Sequence, residues 1–146
     1  MEPRDRIYKI IEEVKKLRTI CYPDHTLPIE YLTIFSQSKS EFEKIRTFLQ
    51  RAGKERDANN GYKYILKESI TYLEEIIEVV RVRKPDIHRK ELGCADLKYK
   101  TQSYNNLRDT ALKKGFDIIL RERYEMIELS DFNINVYAYL IKDNPL

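Results

Sequence analysis

An internal repeat narrows the possible folds of this chain more than any other feature. Residues 40–53 read SEFEKIRTFLQRAG, and sixty-two residues later residues 102–115 read QSYNNLRDTALKKG. Phe42 is matched by Tyr104, Ile45 by Leu107, Arg46 by Arg108 and Gly53 by Gly115. The same offset sets Tyr62, Ile65, Ile77 and Val79 opposite Tyr124, Ile127, Tyr139 and Ile141 without a gap. Any two amphipathic helices share an apolar stripe, but an offset that runs through helix, terminating glycine and following strands points to a duplicated unit.

The units are legible from their periodicity. Ile7, Ile10, Ile11, Val14 and Leu17 recur at helical spacing behind Pro3, which suits a first turn, so the chain opens with a helix that ends before Pro23. The run IEYLTIF then reads as a strand. Ser38 and Glu41 have capping-box spacing for a helix whose stripe is Phe42, Ile45, Phe48 and Leu49 and whose end is Gly53. NNG marks a turn before YKYILKE, and EEIIEVVRVR is rich in Ile and Val, so both read as strands; a further strand between Gly53 and Gly61 is the weakest of the set. The second half repeats the order. CADLKYK alternates, a helix runs from about Ser103 to Gly115, and FDIILRE, YEMIEL and INVYAYLI are three successive strands.

Bulk properties exclude several classes. With 146 residues the chain can bury one core, and a net charge of +3 is too small to argue for nucleic acid. There is no apolar run long enough for a membrane span and no signal-peptide pattern, so a soluble, cytoplasmic protein is expected. Cys21 and Cys94 are far apart and lack zinc-site spacing. His25 and His88 fall in expected loops, and no Gly-rich phosphate loop, HExxH or GxSxG motif occurs.

Each half therefore reads β-α-β-β-β, and here the chain resembles the vicinal oxygen chelate, or glyoxalase-like, superfamily. The resemblance covers about residues 28–142 and rests on element order, paired helices and module length. It implies an α+β fold of two tandem βαβββ modules, residues 28–85 and 86–146, forming a curved mixed sheet with helices outside. Residues 1–27 form a preceding helix and turn, similar to the extra helix of YecM-related members, which also carry a linker like KPDIHRKELG. In that family a divalent metal sits in the concave sheet, held by His or carboxylate groups of the first and last strands, and polarises neighbouring substrate oxygens. Parity along the strands, if they continue the helical alignment, sets Tyr31, Thr33 and Phe35 on the helix side with Ala95, Leu97 and Tyr99. Glu30 and Asp96 then point to the concave side. With Glu78, or Glu75, from the last strand of the first module they are the candidate metal ligands; INVYAYLI offers no His, Asp or Glu, so the usual set of four is incomplete.

Two function classes follow. One is a divalent-metal enzyme acting on a small molecule with adjacent oxygens. The other is a metal-free module that binds an anionic small ligand or a protein partner in the same concavity, lined by Tyr137 and Tyr139 and framed by Arg81 and Arg83 of the basic stretch RVRKPDIHRK. Members of the family join modules within a chain or across a dimer, so a homodimer is compatible with either reading.

Overall fold

A computed structural model describes residues 1–56, 61–100 and 102–143. It contains an N-terminal helix and a curved, open, mixed sheet of eight strands, as the sequence leads one to expect. Helix α1, Pro3–Cys21, starts with Pro3 in its first turn, where a missing N–H costs nothing. Its stripe Ile7, Ile10, Ile11, Val14 and Leu17 is fully buried. Strand β1 is Ile29–Phe35 and helix α2 is Lys39–Ala52. The Ser38 hydroxyl accepts the Glu41 N–H at 3.1 Å, while the Glu41 carboxylate accepts the Gln37 N–H at 2.8 Å. Orphan donors at the start of α2 are thus satisfied. The first module continues with β2, Gly53–Arg56, β3, Tyr62–Tyr72, and β4, Glu75–Arg83. The second holds β5, Gly93–Leu97, helix α3, Tyr104–Lys113, and strands β6, Asp117–Leu120, β7, Tyr124–Asp131, and β8, Ile134–Asp143.

The sheet order β2-β3-β4-β1-β5-β8-β7-β6 is two copies of one pattern joined head to head. In each copy the first strand lies parallel to the last, β1 to β4 and β5 to β8, and the other two follow antiparallel. The copies meet where β1 runs antiparallel to β5. Phe42, Ile45 and Leu49 of α2 are buried as are Tyr104, Leu107 and Ala111 of α3, so the repeat holds across both helices. It does not hold without gaps in the strands. Leu32 pairs with Val80 as Ala95 pairs with Ala138, which makes Val80 and Ala138 counterparts, not Val79 and Ile141. The drift has a local origin: the β3–β4 ladder shifts register between Ile65 and Ile70, so extra residues in one hairpin lengthen the first module.

Helix α1 lies beside the duplicated helices on the same face and bridges them. At its start Arg6 Nη1 meets Glu41 Oε1 of α2 at 3.2 Å; at its end the Tyr22 hydroxyl donates to the Leu107 carbonyl of α3 at 2.7 Å, and Lys114 Nζ donates to the Cys21 carbonyl at 2.7 Å. Between those ends it packs on β8, β1, β7 and β5. Gly93 shows how close that packing is. A Cβ there would lie 2.1 Å from the Thr33 carbonyl oxygen and 2.8 Å from Ile10 Cδ1. The hairpin between β3 and β4 turns through Leu73 and Glu74, both at positive φ (48° and 69°), with Lys15 of α1 donating to the Leu73 carbonyl. Among the described residues no helix is long and apolar enough to cross a membrane.

Because Ile10 is fully buried against the seam, Ile10→Ala should destabilise the protein by about 2–5 kcal/mol through lost transfer energy and a residual cavity. Ile20, 45% exposed on the same helix, is the control: Ile20→Ala should stay within about 0.5 kcal/mol. Urea denaturation measures both, and equal midpoints would refute the assignment of α1 to the core.

Candidate functional site

Among the described residues all three helices cover one face of the sheet, which leaves the other face free of helices. Its composition follows from register, since directly paired residues share a face. Gly93 faces α1 and pairs with Ile34, so Ile34, Leu32 and Ala95 are on the helix side. One residue on, Thr33 pairs with Arg81 on one flank and Cys94 on the other, and Cys94 pairs with Tyr137. Arg81 in turn pairs with Lys63. A row Lys63, Arg81, Thr33, Cys94, Tyr137 therefore crosses the helix-free face. Tyr31, Asp96, Tyr139 and Glu128 form a second row beside it, and Phe35 and Arg83 begin a third.

This corrects the parity reading. Tyr31, Thr33 and Phe35 are on the helix-free face, opposite Ala95 and Leu97, because β1 and β5 pair residue for residue and the helical offset does not carry into them. Asp96 is on the helix-free face as expected. Glu30 reaches the same region by another route: the β1–β5 register shifts between Ile29 and Tyr31, and this bulge lets Glu30 line, with Asp96, a depression of about 300 Å3 bordered by Leu97, Lys98, Tyr99, Lys100 and Ile141. Glu78 does not join them. It is exposed on β4 where alternation slips, the buried positions running Glu75, Ile77 and then Val80, Val82. Glu75 is engaged elsewhere, accepting the Ile29 N–H at 3.1 Å and pairing with Arg18 of α1 at 3.4 Å.

A row of interacting polar side chains occupies the centre of the face. Arg81 Nη2 donates to the Tyr31 hydroxyl at 3.1 Å, and Asp96, the cross-strand partner of Tyr31, is that hydroxyl's carboxylate neighbour. Asp96 is only 8% exposed, and its burial raises its carboxyl above the usual range; the Tyr31 hydrogen bond and the Arg81 charge pull the other way, and Glu30 adds to the rise. Burial likewise raises the Tyr31 hydroxyl, with the Asp96 charge adding to the effect, so Tyr31 stays neutral. Cys94 is pushed up to about 12, first by desolvation and then by the Asp96 charge, which keeps it a thiol. Arg81 Nε is buried and has no hydrogen-bond partner.

Cations and carboxylates on this face are not matched to each other. Lys63 Nζ and the Arg81 guanidinium lie 5.3 Å and 5.0 Å from the Tyr31 ring centroid, and Arg83 and Arg89 each lie 5.7 Å from that of Phe35. Among the described residues none of these four forms an ion pair. The neighbouring carboxylates lie instead against tyrosines: Glu128 accepts from the Tyr139 hydroxyl at 3.0 Å, Asp96 sits beside Tyr31, and Glu91 sits beside Tyr137. Tyr137 and Tyr139 stack with centroids 6.3 Å apart, and Tyr139 is 8% exposed. Of the residues expected from sequence, Asp96, Arg81, Arg83, Tyr137 and Tyr139 are thus brought to one surface. Lys63 and the role of Tyr31 were missed; the alternation of YKYILKE, with Tyr62, Tyr64 and Leu66 on one side and Lys63 on the other, was the available signal. Arg89 is placed by the segment after β4, which folds back so that Gln37 Nε2 donates to the Arg89 and Glu91 carbonyls at 3.1 and 3.0 Å.

The donor set also bears on a metal. Glu30 and Asp96 offer two carboxylates, and among the described residues no three His, Cys, Asp or Glu side chains come together. That falls short of the three or four protein ligands usual for a resident divalent ion.

No protein-family model matches the chain, and no curated protein matches it. A solved structure described as a structural-genomics protein, EC4020, superposes with a TM-score of 0.66 at 14% identity, covering 91% of this chain and 81% of that one. At that identity the likeness is one of fold.

The raised carboxyl of Asp96 gives a pH signature. The native state holds its proton to higher pH than the unfolded chain does, so this group's contribution to stability falls as pH rises from the ordinary carboxylate value through the raised native value. Asp96→Asn removes that dependence. Denaturation of both proteins across the acidic to neutral range should show the variant gaining on the parent as pH rises; a constant difference would mean that Asp96 titrates normally.

Proposed function

We propose that this protein binds an anionic small molecule on the helix-free face of its sheet, with Arg81 as the principal anchor. The observation that carries this reading is the separation of partners there: four half-buried cations without ion pairs stand beside carboxylates already engaged by tyrosines. Like charges gathered without ion pairs repel one another, and an incoming carboxylate or phosphate relieves that repulsion. Arg81 is held by Tyr31, so its remaining N–H groups are oriented before a ligand arrives. Burial of Asp96 weakens its hold on a negative charge and so lessens its competition for Arg81. With its thiol pushed up to about 12, Cys94 suits the floor of a binding site better than a nucleophile.

The proposal includes kinship with the vicinal oxygen chelate superfamily, supported by the paired βαβββ modules and their parallel first and last strands. A divalent cation held by Glu30 and Asp96 is the second reading, favoured by the depression they share. Calorimetric titration tests the two together. Inorganic phosphate or citrate at low ionic strength should bind, and Arg81→Gln should weaken it roughly tenfold or more, the worth of a hydrogen bond to a charged group. No heat with either anion would sink the first reading. Mn²⁺ or Zn²⁺ binding that is lost in the double variant Glu30→Gln, Asp96→Asn, with far-ultraviolet dichroism unchanged, would establish the second.

A further inference from the structure

The arrangement of the four cations goes beyond a generic attraction for anions. They stand in two pairs, each on its own aromatic ring: Lys63 and Arg81 at Tyr31, and Arg83 and Arg89 at Phe35. Tyr31 and Phe35 lie on the same strand and the same face, four residues apart, which at the rise of an extended chain is ~13 Å. Arg81 and Arg83 leave adjacent same-face positions of β4, ~7 Å apart, and reach toward those different rings. Between the pairs the floor is Thr33 and its cross-strand partner Cys94, two small and weakly polar side chains. Tyr137, paired with Cys94, stands at the far side of that floor.

We infer that the ligand is an elongated dianion whose two anionic groups, carboxylates or phosphates, are separated by roughly 7–13 Å, one engaging each cation pair, with a less polar middle lying over Thr33 and Cys94. This rests on the anion-binding reading above and adds the ligand's class and length. A compact anion reaches one pair and leaves the other uncompensated. An extended polyanion such as a nucleic acid strand would continue across the sheet onto Asp96, Glu128 and Glu91, where it meets negative charge, and the chain's net charge of +3 gives it little long-range attraction.

A diacid series at fixed ionic strength tests the spacing. Butyrate, succinate, suberate and sebacate are titrated into the intact protein, with inorganic phosphate as the reference anion. Succinate should bind about as butyrate does, and suberate or sebacate should bind about tenfold tighter or better, because the second contact becomes intramolecular. Arg83→Gln should erase that advantage and bring suberate to the level of succinate, whereas Arg83→Lys, which keeps the charge, should retain part of it; dichroism confirms that both variants are folded. Equal affinity along the series, with Arg81→Gln still weakening every member, would overturn the two-point ligand while leaving the anion site standing. If phosphate and all four acids fail to bind, both readings fall. Displacement of suberate by a single-stranded oligonucleotide at lower concentration would assign the face to nucleic acid and overturn the small dianion.

Discussion

The structure depends on how the seam between its two modules is covered. Among the described residues β1 and β5 are the only strands through which the halves of the sheet are joined, and each duplicated helix packs over the strands of its own module. The apolar backs of Leu32, Ile34, Ala95 and Val136 would be left to water without a third helix. α1 fills that place with five fully buried aliphatic side chains and fixes its own position through Arg6. This guanidinium, 6% exposed, donates to the Phe35 carbonyl at 2.7 Å and to the Leu92 carbonyl at 3.3 Å, and pairs with Glu41. It therefore joins the end of β1, the approach to β5 and the first turn of α2 at a single point. A buried charge costs much unless paired and hydrogen-bonded, and here Nη1 is paired and Nη2 hydrogen-bonded, with Nε the one guanidinium nitrogen left without a partner.

Covering one face so completely is what leaves the other available. With α1, α2 and α3 all on one side, the apolar requirement of the fold is met there, and the second face is released to carry charge. The duplicated modules have used that freedom differently. The first presents Lys63, Arg81 and Arg83 from β3 and β4, and the corresponding strands of the second present Tyr137, Tyr139 and Glu128. Backbone symmetry thus supports an asymmetric surface, with cations on one flank of the seam and tyrosine-bound carboxylates on the other.

How much of this was legible in the sequence depends on how each element is buried. A helix such as α2 or α3 buries one stripe, so Phe42, Ile45 and Leu49 announce its inner face and their counterparts announce the repeat. β1 is different. Leu32, Thr33, Ile34 and Phe35 are all buried, because helices cover one side and Arg81, Arg83 and Arg89 crowd the other, so alternation vanishes and parity has no anchor. The bulge at Glu30 and the slip near Glu78 then move individual carboxylates to places that even-spacing arguments cannot reach. Asp96 is assigned to the correct side because residue polarity alternates along CADLK even though burial does not, Ala95, Asp96 and Leu97 all being buried. The long-range fold was written in repeated stripes, but the site was written in register, and register is settled by pairing partners far away in the chain.

The aromatic rings explain how unpaired cations can be held in place at all. A flexible Lys or Arg with no ionic partner normally trails into solvent, but the faces of Tyr31 and Phe35 attract each cation by about 0.5–1 kcal/mol without neutralising its charge. That is a different solution from a salt bridge: it orients the group and keeps its charge for another partner. The neutral state of Tyr31 sustains the arrangement, since burial and the Asp96 charge both disfavour a phenolate. Its hydroxyl then accepts from Arg81 and faces Asp96 as a proton donor, so that Arg81 and the carboxylate meet through Tyr31 and not in an ion pair. A surface selected for stability alone would pair these charges or thin them out, because like charges set close together oppose folding. Set in two oriented pairs, they make the local conflict that the proposed anion would resolve.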